Sequence, residues 1–267
     1  MFLDLLRSCT SYGIFFLYCA VMVLPAVLLI CLPVSYPWAI KLYGLISKMT
    51  FKVLLFSTFL PVTYQGFEYL PKKPVIFVAN HQSNLDILLI GSVVGARPCA
   101  WLAKSDLFEY PLLGSLLGNW SVPVYLNGDR PADYKGAVQG AVEKLVQGFS
   151  IIIFPEAGRY NDGIIHPFYS GFAAMAKLSG AQVVPLFISG AGQAMPAGAR
   201  LIRSAPLMIT VGKPMICGAD ESVQSFKERV YEWFVELNFR RAYLLEHYGI
   251  RICNGDAPVV EGQTAQA

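Results

Sequence analysis

From Val75 onwards the chain repeats one pattern: a short apolar run rich in β-branched residues, a polar break, then a longer stretch with helical spacing. Runs of this kind are buried strands, and their alternation with helical stretches calls for an α/β fold with a largely parallel sheet flanked by helices. The spacing predicts strands over Val75–Ala79, Ala100–Leu102, Ser121–Tyr125, Ile151–Phe154, Val183–Ile188 and Leu207–Val211. It predicts helices over Leu85–Val94, Asp106–Leu117, Ala132–Gln147, Gly171–Leu178 and Glu221–His247. The last of these carries Phe226, Val230, Phe234 and Leu237 on one side, a face for docking rather than for a cofactor. In open α/β sheets ligands bind beyond the carboxyl ends of the strands, so the residues just after each run are the first candidates for chemistry.

The first run ends in Asn80-His81-Gln82-Ser83-Asn84-Leu85-Asp86. Ser83 or Asn84 is suited to cap the helix that follows. His81 then stands in the strand-to-helix loop, and Asp86 in the first helical turn, within reach of its imidazole. A neutral imidazole takes a proton from an alcohol, while a carboxylate fixes its tautomer and stabilises the imidazolium that forms. The competing reading of an isolated His-x4-Asp is a helix-entry histidine with a local hydrogen bond and no chemistry. The run Ile151–Phe154 leads into Pro155-Glu156-Ala157-Gly158-Arg159, which puts Glu156 and Arg159 on the same rim. Arg159 offers a planar fork suited to phosphate, Gly158 allows a tight turn beside a ligand, and Glu156 can accept a hydrogen bond from a substrate hydroxyl. A plain surface Glu–Arg turn is the alternative there.

The N-terminal region is built differently. Hydrophobic residues make up 55% of the 267-residue chain and charged ones 15%, an apolar balance that points towards a membrane. The excess is concentrated between Ile14 and Leu32, where no charged residue occurs. That length just suffices to cross a bilayer core as a helix, and Pro25 within it also admits a kinked or re-entrant segment. A weak basic flank and the lack of an A-x-A site argue against a cleaved signal peptide. From Trp38 to Leu60, Lys41, Lys48 and Lys52 fall within one arc of a helix, while Leu42, Leu45, Ile46, Met49, Val53 and Phe56 fill much of the rest. This predicts an interfacial amphipathic helix, with a helix packed on the protein's own core as the alternative. By the positive-inside rule, the lysines put the following chain on the cytoplasmic face. Residues 1–65 are thus expected to form membrane-associated helices, 66–250 the catalytic domain and 251–267 a disordered tail. The six cysteines are scattered without a Cys-x-x-Cys pair, which suits a reducing compartment and gives no zinc or other metal site. A net charge of +3 with no basic stripe among aromatics gives no reason to expect nucleic acid as a partner.

The heptapeptide matches the first motif of the glycerolipid acyltransferases, N-H-Q-S-x-x-D, the family that includes the lysophosphatidic acid acyltransferases. Phe154-Pro155-Glu156-Ala157-Gly158-Arg159 is similar to that family's third motif, F-P-E-G-T-R, with Ala-Gly in place of Gly-Thr. Val184-Pro185-Leu186 resembles the fourth motif, whose proline helps line the acyl-chain site. Lys104-Ser105-Asp106-Leu107-Phe108, with Pro111 and Gly114, looks like the Lys-x-Glu-Leu segment, whose lysine belongs with the anionic headgroup. The second motif departs more: Val122-Pro123-Val124 fits, but Arg130 follows only after five further residues. Tyr169 also stands where the family commonly has lysine, so the acceptor pocket has fewer cations and room for a larger headgroup.

The resemblance covers roughly Pro74 to Gly212. It implies the layered acyltransferase fold behind a two-helix membrane motif. It further implies transfer of a fatty acyl group from acyl-CoA or acyl carrier protein to the free hydroxyl of a lysophospholipid. Both donors are co-substrates, and no cofactor is called for. In that reading His81 is the base and Asp86 its orienter. Arg159, Lys104 and Arg130 hold the phosphate, Glu156 and Gly158 border the acceptor, and Pro185 lines the acyl site. Three readings stay open beside it: a hydrolase using Ser83, a non-catalytic lipid-binding protein of the same fold, and the same chemistry on another lyso-lipid.

Overall fold

The structure is a computed structural model that describes residues 2–31, 36–111, 113–124, 126–127, 130–131, 134–160 and 162–248. Seven strands form one sheet: β1 (Val62–Gln65), β2 (Ile76–Ala79), β3 (Cys99–Lys104), β4 (Val122–Val124), β7 (Ser150–Ile153), β8 (Val183–Ser189) and β9 (Leu207–Val211). Their spatial order is β1-β9-β8-β2-β7-β3-β4. A separate two-stranded ribbon pairs β5 (Leu126–Asn127) with β6 (Arg130–Pro131). Five neighbouring strands from β8 to β4 run parallel, whereas β9 lies antiparallel to β8 and carries β1 parallel beside it. The sheet is therefore mixed at one edge. The first strand also starts before residue 66, so the expected domain boundary falls inside the sheet's chain rather than ahead of it. Val-Thr-Tyr-Gln is short, half-polar and at the edge, where one neighbour suffices to hold it.

Both faces of the sheet are covered, as continuous apolar runs such as Ile76-Phe77-Val78-Ala79 require. On one face Phe77, Ile152, Val184, Leu186 and Ile188 pack with Leu85, Leu89 and Ile90 of α3 (Leu85–Val94). On the other, Ile76, Val78, Ile151, Val183 and Phe187 meet three helices: α5 (Tyr134–Val146), α6 (Gly171–Ser179) and α8 (Val223–Tyr248). Phe226, Val230 and Phe234 of α8 are fully buried there, so that helix docks by the face its periodicity marked out. The single helix expected over Asp106–Leu117 is broken into a 3₁₀ turn, Ser105–Glu109, and α4 (Leu113–Trp120). Pro111 is the cause. It pushes the preceding Tyr110 out of helical conformation, to φ −70° and ψ 131°. Residues 132 and 133, Tyr125 and the expected tail at 251–267 lie outside the described residues.

The N-terminal region is a helical hairpin. α1 (Phe2–Cys31) runs unbroken through Pro25, and α2 (Pro37–Phe56) returns beside it. Tyr18 hydrogen-bonds to Thr50 at 2.8 Å and Ser11 Oγ donates to the Ser57 carbonyl at 2.6 Å, so the two helices are antiparallel. The first turns of α1 are also seated on the domain. The Ile202 N–H donates to Ser8 Oγ at 2.8 Å, and Tyr12 donates to the Arg200 carbonyl at 2.7 Å. α2 packs against α3 with little space between them. A Cβ on Gly44 would lie 2.2 Å from the Ala96 carbonyl oxygen, and one on Gly91 would lie 2.0 Å from the Phe51 ring. The face of α2 turned away from the domain exposes Trp38, Leu42, Leu45, Met49 and Phe56, with Lys41 and Lys52 beside them. One side of this helix is thus packed on the protein's own domain, and the other leaves an apolar stripe exposed.

Candidate active site

The carboxyl ends of β2, β7, β3 and β8 share one rim, and the site is assembled there. Where the β2–β8 ladder stops, the buried Asn80 side chain continues it: its amide donates to the Ile188 carbonyl at 2.9 Å and accepts the Ile188 N–H at 2.7 Å. This holds the chain in place just ahead of His81. His81 Nδ1 lies 2.8 Å from Asp86 Oδ2, and the same oxygen accepts the backbone N–H groups of Gln82 at 2.6 Å and Ser83 at 2.8 Å. Asp86 is fully buried. Three donors on one carboxylate oxygen stabilise its charge and require Nδ1 to carry a proton, so the lone pair of the neutral imidazole is on Nε2. The His81 ring is 16% exposed and stacks on Phe154, with centroids 3.9 Å apart and planes at 15°. Edge and face are thus both held.

Ser83 takes no part in this geometry as a nucleophile. It is buried, its Oγ donates to the Met195 carbonyl at 2.6 Å, and it accepts the Leu85 N–H at 3.1 Å. It supports the helix entry from inside the protein.

Glu156 stands apart from the role expected of it. Its Oε1 accepts the His81 N–H at 2.8 Å and its Oε2 accepts the His166 N–H at 3.0 Å, with only 4% of the residue exposed. Both oxygens are engaged by the protein's own backbone, so Glu156 is a clamp between two loops rather than a free acceptor for a substrate hydroxyl. Burial pushes its carboxyl up to about 7, against the two backbone hydrogen bonds, which favour the ionised form. The turn that follows is sharp. Ala157, not Gly158, takes the left-handed conformation, with φ 56°. Gly158 instead makes room: a Cβ there would come within 3.0 Å of the Tyr160 ring.

Arg159 is exposed on the rim and its guanidinium donates to Asn84 Oδ1. Lys104 ends β3 on the same rim, also exposed. The Arg130 side chain lies outside the described residues. Pro185 sits in the body of β8, opposite Val78, and its ring adjoins Gly212 and Trp233. That is the α8 side of the sheet, away from α3 and the His81 loop. The fold brings together His81, Asp86, Glu156, Gly158 and Arg159, puts Lys104 on the same rim, and leaves Pro185 elsewhere.

Three contributors went unread in the sequence. Asn84 holds Arg159, and Phe154 carries the His81 ring. A second imidazole–carboxylate pair, His166 Nε2 to Asp162 Oδ2 at 2.7 Å, sits beside the site with Tyr160 stacked on it at 3.6 Å. The hydrogen bond from His166 holds the Asp162 carboxyl below the usual range. The four-residue spacing of Asp162 and His166 was the available signal.

The acyltransferase family model matches residues 61–189, the span from β1 to the end of β8. That match, together with the motif residues it contains, relates this span to the glycerolipid acyltransferases. It is 28% identical over 209 residues to the chloroplastic 1-acyl-sn-glycerol-3-phosphate acyltransferase BAT2 of Brassica napus, covering 74% of this chain and 60% of that protein. It is 31% identical over 119 residues to a lyso-ornithine lipid O-acyltransferase of Pseudomonas aeruginosa, or 45% of this chain and 44% of the other. Its fold superposes on the crystal structure of the acyltransferase PlsC from Thermotoga maritima with a TM-score of 0.72. That match covers 89% of this chain and 95% of the other at 24% identity, and it speaks for the fold. The chain spans less than two thirds of the length of the chloroplast relative.

Proposed function

We propose that this protein moves a fatty acyl group from an acyl thioester to the free hydroxyl of lysophosphatidic acid or a related lysophospholipid. The observation that carries the reading is the His81–Asp86 pair, which leaves Nε2 as the basic edge of the imidazole, on the rim that also carries Arg159 and Lys104. The acceptor hydroxyl gives its proton to Nε2 as its oxygen attacks the thioester carbonyl carbon. The tetrahedral intermediate collapses, the C–S bond breaks, and the imidazolium returns the proton to the departing thiolate. Asp86 stabilises the imidazolium throughout. The buried, hydrogen-bonded Ser83 supports direct transfer without an acyl-enzyme. Arg159 and Lys104, with Arg130, take the acceptor phosphate. The donor is acyl-CoA or acyl carrier protein. Tyr169 at a position where the family pattern has lysine favours an acceptor with a larger headgroup as the second reading.

The protein works at a membrane in this reading. α1 is long and apolar enough to cross one, and the outward face of α2 adds an apolar stripe bordered by lysines. By the positive-inside rule, the lysines support a catalytic domain on the cytoplasmic face. The test is acyl transfer from labelled acyl-CoA and acyl carrier protein to a panel of lyso-lipids, in membranes carrying the wild type or His81→Ala. Product from the wild type alone, with the variant reduced by at least ~10²-fold, is the expected result. Equal product from both removes His81 as the base.

A further inference from the structure

Asp86 fixes one corner of the His81 ring, but a single hydrogen bond leaves the imidazole free to tilt about the Nδ1···Oδ2 line. The flat contact with Phe154 removes that freedom, and Phe154 is not the last ring in the series. Trp101 of β3 lies 6.3 Å from it, inclined by 33°. Phe51 of α2 lies 5.9 Å from Trp101, inclined by 50°. The sheet places these rings in line: Trp101 stands opposite Ile152 of β7, and Phe154 follows two residues later on the same face. Phe51 is held at the far end because Gly91 lets it lie directly on the α3 backbone. An unbroken row of aromatic rings thus leads from the N-terminal hairpin to the imidazole.

We propose that Phe51 and Trp101 are positioning residues for His81, acting through Phe154, so that the seating of α2 on the domain sets the aim of the base. The inference rests on the proposed role of His81. A base whose Nε2 points a few tenths of an ångström or some degrees away from the acceptor hydroxyl loses rate without losing affinity.

Two readouts test it, in full-length protein reconstituted in lipid nanodiscs. The first needs no activity. In protein carrying ¹³C-labelled histidine, the His81 ring ¹H–¹³C signal is identified by its loss in His81→Ala, and a ring stacked at 3.9 Å moves its proton shift upfield. Phe154→Leu should abolish that shift. Phe51→Leu and Trp101→Leu should move the signal part of the way, and Phe51→Tyr should restore it. Phe239→Leu, an exposed change on α8, should leave it in place. The second readout is kinetic: Phe51→Leu and Trp101→Leu lower kcat about tenfold with KM for the acceptor nearly unchanged. An unmoved His81 signal in folded Phe51→Leu and Trp101→Leu overturns the proposal. So does a changed preference for acyl-chain length with that signal unmoved, because the rings would then line the acyl chain. If His81→Ala keeps its activity, the base assignment fails while the signal still reports on the aromatic row.

Discussion

The residues with the tightest constraints at the site are those whose task the chain order does not reveal. Glu156 is one. Its carboxyl is raised from 4.5 to about 7 by burial, so between those values the folded protein binds more protons than the unfolded chain. Its contribution to stability is therefore present in full below pH ~4.5 and is lost as pH rises through ~7, a change of about 3 kcal/mol. Glu156→Gln should remove that slope. Chemical unfolding in detergent at pH 4.5 and pH 8 should show the difference between wild type and variant changing by about this amount. Parallel behaviour at the two pH values would show that burial does not perturb this carboxyl. The ionised form is nevertheless the one that accepts both backbone N–H groups, so Glu156→Gln should also loosen the His81 loop and reduce turnover. Ala157 is the second case. A side chain at φ 56° is disfavoured by roughly 1–2 kcal/mol, whereas glycine there loses about 0.4–1 kcal/mol through its freer unfolded chain. Ala157→Gly should stabilise the protein by about 0.5–1 kcal/mol, seen as a higher denaturation midpoint at unchanged slope. A lower midpoint would mean that the turn is not strained. The pairing of His81 with Asp86 was legible because their types and spacing suit an imidazole–carboxylate hydrogen bond, and the place of Arg159 because it follows the end of a strand. The partners of Glu156 were not, because a hydrogen bond to a backbone N–H leaves no mark on the identity of the donor residue.

At the scale of elements, the legible parts were those with a strong period or a continuous apolar run. α3 and β9 fall on the residues their patterns predict, since each is buried over most of its length. β1 was missed because its burial comes from one neighbour, β9, and shows no pattern of its own. α2 was read from its outer face, and its inner face was only an alternative, because small residues give no hydrophobic signal. Yet Gly44 is what allows the helix to approach Ala96 so closely. Gly44→Ala would drive a methyl group against a backbone carbonyl that has no side-chain freedom to yield. The helix should lift from α3, with a loss of about 1–3 kcal/mol and earlier cleavage between α1 and β1 under limited proteolysis. Cleavage at the wild-type rate would mean that α2 is not seated as closely as this geometry requires.

For the molecule as a whole, the question is how the hairpin meets the bilayer. By composition alone α1 passes for a spanning helix, and its exposed Leu6, Leu17 and Leu28 suit lipid. Its placement argues otherwise. Asp4, Ser8 and Tyr12 tie its start to residues 200–204, its middle is bound to α2 through Tyr18 and Thr50, and α2 is packed along the domain. A helix held alongside a water-facing domain cannot also stand upright through the membrane without carrying that domain's polar flank into hydrocarbon. The hairpin should therefore lie within one leaflet, roughly parallel to the surface, with the α2 stripe beside it and the rim of His81 opening towards the headgroups. Spin labels at Leu6, Leu17 and Leu28 would measure this by their immersion depth in liposomes. An in-plane helix gives three similar depths. A spanning helix, at 1.5 Å per residue, separates the first and last labels by about 30 Å across the bilayer and would place them at opposite surfaces. Similar depths would also explain why the polar seam lies at the start of α1: the helix needs its anchor where it leaves the domain, and apolar surface everywhere else.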